Sequence, residues 1–392
     1  MRNGREDRFF VGMLSGTSRD GVDTVLVHFG EDQPKVIASH CVAYPASLQD
    51  MLRKMIDRRI RPAEDEMAVA NEDLAEVFAL SVWALLDQAG VKPKDVIAIG
   101  SHGQTVWHHP TGKNPESIQL GKPQLIANLT GIPTVGNFRQ ADISAGGQGA
   151  PLAPLLHAAL LMPAEGVRAV LNIGGISNIS VLAANGVISG YDTGPGNCLL
   201  DAWVKKHEGS DFDDGGLWAA GGTADESLLE LLLADPYFAL PPPKSTGVEY
   251  FNIYWLKRRM DEHASSPAVE RPGTSDRPGG PPGARDIQAT LSELTARSVA
   301  AAVSRSGASE LLVCGGGVHN LDLLKRLQRL LPDTRVGRTN DSATDSGIDP
   351  DLVEAILFAW LARERIANRA LDTRRITGAR EPVLLGEIFD PA

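Results

Sequence analysis

The chain has 392 residues, long enough for two domains, because single hydrophobic cores stop growing near about 250–300 residues. Its 43% hydrophobic and 22% charged content is that of an ordinary globular protein, and a net charge of −11 argues against a nucleic-acid binder. Cys41, Cys198 and Cys314 are too scattered for a disulfide framework or a zinc site, which fits a reducing compartment.

The first residues, Met-Arg-Asn-Gly-Arg-Glu-Asp, carry charge and no apolar run of a signal peptide. No apolar run approaches the roughly 20 residues of a membrane span, so a cytoplasmic protein with no membrane partner is expected. Strands are predicted at 9–14, 23–29 and 35–43, then helices near 46–58 and 66–89. The strand Val96–Ile99 runs into Gly100-Ser-His-Gly-Gln-Thr105. Ser117–Leu120, a helix near 123–130 and the strand at 134–135 follow. A second half opens near residue 165 with a strand hairpin at 169–182, and a helix is expected near 197–207. In the stretch 286–304, Ile287, Leu291, Leu294 and Ser298 share one helical face. Glu310–Val313 reads as a buried strand and Asn320–Leu331 as a helix, while Asp349-Pro350 marks the start of a helix over 351–367.

Alternating strands and helices in both halves give an α/β protein with two sheets, divided as residues 1–164 and 165–392. Residues 263–285 are crowded with Pro, Gly and Ser and read as a surface insertion without chemistry. Arginine clusters at 53–61 and 363–375 read as solvated helix faces.

The turn Ser15-Gly-Thr-Ser-Arg-Asp-Gly21 joins the first two strands. Gly16 and Gly21 permit positive φ and close approach of a ligand, the hydroxyls of Ser15, Thr17 and Ser18 suit its oxygens, and Asp20 and Asp23 suit a divalent cation. An ordinary polar hairpin is the alternative. Ala169-Val-Leu-Asn-Ile-Gly-Gly-Ile-Ser-Asn-Ile-Ser-Val-Leu182 repeats the pattern in part, roughly 155 residues later, and indicates a duplicated unit.

The nucleotide signatures GxxxxGK[ST] and GxGxxG are missing, as are GxSxG and HExxH. Glycine turns are left to bind phosphate. Tyr191-Asp-Thr-Gly-Pro-Gly-Asn197 sets a carboxylate beside a rigid turn at a helix start, where Asp192 serves as a general base or merely caps the turn. Gly315, Gly316 and Gly317 admit an adenine or ribose against backbone, or only tight strand–helix packing. Arg139 and Asp142 sit in an irregular polar run, Asn137–Pro151, that reads as a binding loop. There Arg139 holds a carboxylate in bidentate fashion or forms a surface ion pair. His102 is a substrate contact or a satisfied buried imidazole. Pro241-Pro-Pro-Lys-Ser-Thr-Gly247 is a stiff turn, either ligand contact or scaffold.

Taken in order, Ser15–Asp23, Ser101–Val106, Phe138–Pro151, Leu171–Ile176, Asp192–Asn197, Pro242–Gly247, Asp286–Leu291, Cys314–Asn320 and Asp349–Ala355 resemble the signatures of the anhydro-N-acetylmuramic acid kinases. The likeness runs over roughly residues 9–386. It implies the duplicated ribonuclease-H-like fold of the actin and sugar-kinase superfamily, with an interdomain cleft for ATP. It implies that 1,6-anhydro-N-acetylmuramate, ATP and water give N-acetylmuramate 6-phosphate and ADP, in recycling of cell-wall sugars. Gly16, Thr17, Ser18, Arg19, Asp20, Gly21, Val22 and Asp23 would then bind ATP phosphates, with Asp20 facing Mg²⁺ through the nucleotide. Asn172, Gly174, Gly175 and the triple glycine at 315–317 would complete the nucleotide site. Asp192 would be the catalytic base, Glu354 would hold the sugar, and His102, Arg139 and Asp142 would line it; the assembly would be a homodimer. Arg19 stands where the family usually has an apolar or amide residue. An ordinary sugar or acyl kinase of the same fold, and an ATP-driven binding module, are the rival readings.

Overall fold

The computed structural model describes residues 9–16, 21–30, 34–58, 60–265, 282–341 and 347–392. The chain opens with β1 (Phe9–Leu14), β2 (Gly21–His28) and β3 (Lys35–Ala43), then α1 (Ala46–Asp57) and α2 (Glu64–Ala89). Next come β4 (Val96–Ser101), β5 (Gln104–His109), β6 (Glu116–Leu120), α3 (Pro123–Thr130), β7 (Thr134–Gly136), α4 (Gln140–Ser144) and α5 (Ala153–Leu161). A second set follows with β8 (Val167–Ile173), β9 (Ile176–Ala183), β10 (Ile188–Pro195), α6 (Cys198–Glu208), α7 (Leu217–Ala220), α8 (Glu226–Leu233) and α9 (Pro236–Ala239). It continues through α10 (Ile253–Ser265), α11 (Ala284–Ser306), β11 (Glu310–Cys314), α12 (Leu321–Leu330) and β12 (Arg335–Arg338), before α13 (Val353–Ile366) and β13 (Glu387–Phe389).

These elements form two compact units, Met1–Leu156 with Leu352–Ala392, and His157–Asp351. Residues 352–392, which a cut at 164/165 puts in the second unit, pack with the first. The sheet of the first unit has the order β13-β7-β4-β1-β2-β3, and that of the second β10-β9-β8-β11-β12. In each, an antiparallel meander of three strands comes first. Its leading strand, β1 or β8, then takes a parallel neighbour, β4 or β11, and that strand takes another, β7 or β12. The partial echo between the two hairpins is therefore the visible part of a complete structural repeat.

The first core is built around α2, whose Met67, Ala70, Leu74, Phe78, Val82 and Leu85 recur at three- and four-residue steps and are all buried. They pack with Val11, Val22 and Leu26 from β1 and β2. Gly90, at φ 66°, ends the helix in the left-handed conformation that glycine takes without cost. In the second unit Ile287, Leu291 and Leu294 of α11 are buried as their spacing predicted, beside Trp203, Phe251 and Trp255. Asn320 caps α12, its side chain accepting the Leu323 N–H at 2.9 Å.

On the other side of the first sheet lies α13, and it approaches unusually closely. A Cβ on Gly12 of β1 would stand 1.9 Å from the Ala355 carbonyl oxygen, and one on Gly100 of β4 would stand 1.9 Å from that of Phe358. Two glycines on adjacent strands thus form a trough that seats the helix backbone. The helix begins two residues later than Asp349-Pro350 suggested, because the Pro350 carbonyl accepts the Gly315 N–H at 2.9 Å and the 349–352 segment turns instead.

Gly12→Ala forces helix and sheet apart and destabilises the chain by about 3 kcal/mol or more, in the range of severe overpacking. Chemical denaturation followed by circular dichroism reads the loss, and unchanged stability would refute the close-packing account.

Candidate active site

At the end of β1, the Ser15 hydroxyl is buried and donates to Gln104 Oε1 at 2.5 Å. The chain is described as far as Gly16 and again from Gly21; Thr17, Ser18, Arg19 and Asp20, the metal-facing carboxylate expected there, lie outside the described residues. Gly21 answers to strand pairing, since a Cβ would meet the Val42 carbonyl oxygen of β3 at 2.4 Å. Val22 sends its side chain into the core, so only its backbone remains for a ligand. Asp23 is exposed on β2, in register with Leu14 and Cys41.

Also in the first unit, His102 sits just past β4, buried, with its ring 4.6 Å from that of Phe358 on α13. Its Nε2 accepts from Arg139 Nε at 3.1 Å and from a terminal guanidinium nitrogen at 2.9 Å. Arginine only donates, so Nε2 carries no proton and Nδ1–H donates to the Gly103 carbonyl at 2.9 Å. Burial, and then the Arg139 charge, hold the His102 pKa well below its usual 6.5. The imidazole is therefore a satisfied, neutral spacer. Arg139 also donates to the Gly149 carbonyl at 2.9 Å, so its fork aligns the loop.

Asp142 is fully buried. One carboxylate oxygen accepts the Gly149 N–H at 2.7 Å, and the other accepts the Thr373 and Thr377 hydroxyls at 2.5 and 2.7 Å. Asp142 ties the loop to the 373–377 turn through three donors. Glu354, half-buried in the first turn of α13, is one residue before the carbonyl seated on Gly12.

In the second unit the β8–β9 turn and the start of α6 are tied together. The N–H groups of Gly196, Asn197 and Cys198 donate to the carbonyls of Gly175, Gly174 and Gly175 at 2.9, 2.9 and 3.1 Å. They are thus occupied by the fold itself. Asn172, at the end of β8, is buried, and a Cβ on Gly315, at φ 79°, would meet its Oδ1 at 2.2 Å. Gly317 lies equally close to Ile173, but the face of Gly316 is open. Two glycines of the triplet serve packing, and the middle one leaves a bare backbone surface.

Asp192 lies inside β10, which continues through Pro195. It is 7% exposed. Its N–H donates to the Lys244 carbonyl at 3.1 Å, and its carbonyl accepts the Tyr237 hydroxyl at 2.6 Å. One carboxylate oxygen accepts the Thr246 N–H at 2.9 Å. Lys244 Nζ in turn donates to the Tyr237 carbonyl at 3.0 Å and lies 4.5 Å from that ring's centre. The stiff turn at 241–247 is thus a scaffold for Asp192. Tyr237 escaped the sequence reading; its signal was Asp235-Pro236, an N-cap and first-turn proline for the short α9. Asp235 accepts from the Tyr237 N–H at 3.0 Å, Tyr250 at 2.8 Å, Trp255 at 2.9 Å and Arg259 at 2.7 Å, which fixes that turn.

Among the described residues no helix is long and apolar enough to cross a membrane. Nor do three His, Cys, Asp or Glu residues gather as a metal would require.

Two α/β units with one repeated strand order, each carrying a glycine-bearing hairpin, define a duplicated ribonuclease-H-like protein of the actin and sugar-kinase class. The family model of anhydro-N-acetylmuramic acid kinase matches residues 8–391. The chain belongs to this family and is a kinase. It is 42% identical to the anhydro-N-acetylmuramic acid kinase of Saccharophagus degradans over 389 residues, covering 97% of this chain and 99% of that one. The protein of the same description from Xanthomonas axonopodis pv. citri is 43% identical, covering 97% of each. Among solved structures, the activator of 2-hydroxyisocaproyl-CoA dehydratase from Clostridium difficile with bound ADPNP superposes with a TM-score of 0.45 at 13% identity, covering 92% of this chain and 96% of that one.

Two buried histidines and one half-buried one give a pH dependence. Burial, and then Arg139 and His109, push His108 down to about 3, and burial alone pushes His157 to about 3. With His102 they stay neutral in the folded chain, whereas unfolded histidines bind protons from about pH 6.5 downward. The unfolded state then binds more protons, so stability is complete above about pH 6.5 and falls as pH drops below it. Urea unfolding between about pH 7.5 and about pH 5 should show this decline, and His157→Phe should reduce its slope by about one proton. A slope unaffected by that substitution would contradict a neutral, buried His157.

Proposed function

We propose that the chain opens 1,6-anhydro-N-acetylmuramic acid with water while phosphorylating O6 from ATP, giving N-acetylmuramate 6-phosphate and ADP, and so serves recycling of cell-wall sugars in the cytoplasm as a homodimer. The observation that carries this reading is the mounting of Asp192. A carboxylate on a buried strand, fixed at both backbone groups and at one oxygen, is positioned as a general base must be. Asp192 takes a proton from water as the water oxygen bonds to the anomeric carbon. The bond from that carbon to the bridging O6 breaks, and its electron pair stays on O6. O6 then bonds to the γ-phosphorus of ATP as the bond to the β,γ-bridging oxygen breaks and ADP departs.

The nucleotide is assigned to the glycine turns: residues 16–23 for its phosphates, the β8–β9 turn with Asn172, Gly174 and Gly175, and Gly316 with its neighbours Gly315 and Gly317 for the adenosine. The open face of Gly316 fits a flat group, since nothing lies where its Cβ would point. Mg²⁺, when bound with the nucleotide, supplies screening of the charge on the transferring phosphoryl group, with Asp20 as its assigned neighbour. Glu354 and the loop held by Arg139, His102 and Asp142 are assigned to the sugar. Because the reacting groups exchange little covalent chemistry with the protein, positioning and electrostatics supply the rate.

Asp192→Asn should retain nucleotide binding and lower turnover by at least about a hundredfold, the scale of a lost general base. ADP release with and without the anhydro sugar measures this, and labelled water should appear at C1 of the product. Full turnover by the variant, or a product without label, would remove Asp192 or the hydrolytic step from the reaction.

A further inference from the structure

A cavity of about 340 Å³ opens on the second unit against β10. It is walled in part by Tyr191 and Thr193, the two neighbours of Asp192 in β10. Leu233, Phe238 and Leu330 make part of the lining apolar. Three cations reach it: Arg297, Lys244 and Arg305.

Their charges are not equally satisfied. Arg297 is neutralised by Glu226, at 2.6 and 2.8 Å, and by Glu293, at 3.1 Å. Neither Lys244 nor Arg305 has a carboxylate within ion-pair distance among the described residues. Lys244 is only 8% exposed and spends its ammonium on the carbonyls of Tyr237 and Phe238, at 3.0 and 3.4 Å. An ammonium has three donors, so one remains. Burial, and then the Arg305 charge, push the Lys244 pKa down against a smaller opposing pull from Asp192, so two like charges lie near each other with no carboxylate in salt-bridge contact. A carboxylate would offset one of them. A phosphate monoester, with about −1.5 to −2 charge at neutral pH, offsets both.

We propose that this cavity binds a small phosphate monoester with an apolar body, and that the bound anion draws Lys244 off the carbonyls of Tyr237 and Phe238 and so slackens Asp192. The coupling is short. Lys244 holds Tyr237 through its ammonium, Tyr237 holds the Asp192 carbonyl, and the Lys244 carbonyl holds the Asp192 N–H. An occupant of the cavity thus acts on Asp192 through Lys244 and Tyr237. The effect on turnover rests on Asp192 being the base; binding does not.

The test uses the full chain saturated with a non-hydrolysable ATP analogue, which fills the phosphate turns. Phenyl phosphate and orthophosphate are titrated calorimetrically. Phenyl phosphate should bind one to one and more tightly than orthophosphate, because Leu233, Phe238 and Leu330 receive the ring. Arg305→Gln, at an exposed position of α11, should weaken it by about tenfold, as the loss of one charge-assisted contact does. Arg53→Gln, on the surface of the first unit, should leave it unchanged. In turnover assays phenyl phosphate should lower kcat at unchanged KM for ATP, with the effect lost in Arg305→Gln. No isotherm, or one identical in Arg305→Gln, overturns the site even if the chain proves inactive on the anhydro sugar. Binding that leaves kcat unmoved overturns the coupling through Lys244.

Discussion

The backbone of α13 rests directly on β1 and β4, its carbonyls lying where side chains on Gly12 and Gly100 would stand. Most helix-on-sheet contacts are separated by a layer of side chains, whereas here the helix is sunk into the sheet. That depth brings Phe358 against the rings of His102 and Phe138. His102 in turn sets Arg139, and Arg139 and Asp142 from opposite ends hold Gly149. The loop expected to meet the sugar thus inherits its position from a backbone-to-backbone contact on the far end of the same network.

The second unit solves the same problem differently. Asp192 sits on an edge strand, β10, which has a sheet neighbour on one side only. The missing neighbour is replaced by a short helix and a stiff turn, which bond to Asp192 at its N–H, its carbonyl and its carboxylate. A ladder strand would have satisfied the backbone groups alone. The turn also reaches the side chain, through the Thr246 N–H.

Much of this was legible in the chain itself. The helices with a sustained apolar stripe, α2, α11 and α12, were readable because their periodicity reports burial on one face. The duplicated sheets were readable from two hairpins alone. Short elements such as β12 and β13 were not, since three or four residues carry no period, and α7 to α9 hid in a segment whose apolar residues serve a local cluster. Motif residues were found more reliably than their roles. Gly21, Gly315, Gly317 and Asp142 stood out for ligand binding, yet their near neighbours are a strand carbonyl, an asparagine, an isoleucine and two threonines. A glycine or a carboxylate in the chain shows what a position could accommodate, but not which partner it meets in the fold. Tyr237 shows the reverse: a residue with no motif of its own, whose hydroxyl matters only through the fold.

The first unit is discontinuous, and the order of synthesis follows from that. Its seat for α13 is laid down with β1 and β4, but the helix itself emerges only after all of residues 157–351. The second unit is contiguous and has every strand of its sheet before α13 exists. On the ribosome the later half of the duplication is therefore the first that can close, while the glycine trough of the earlier half waits, open to water, for the last stretch of chain.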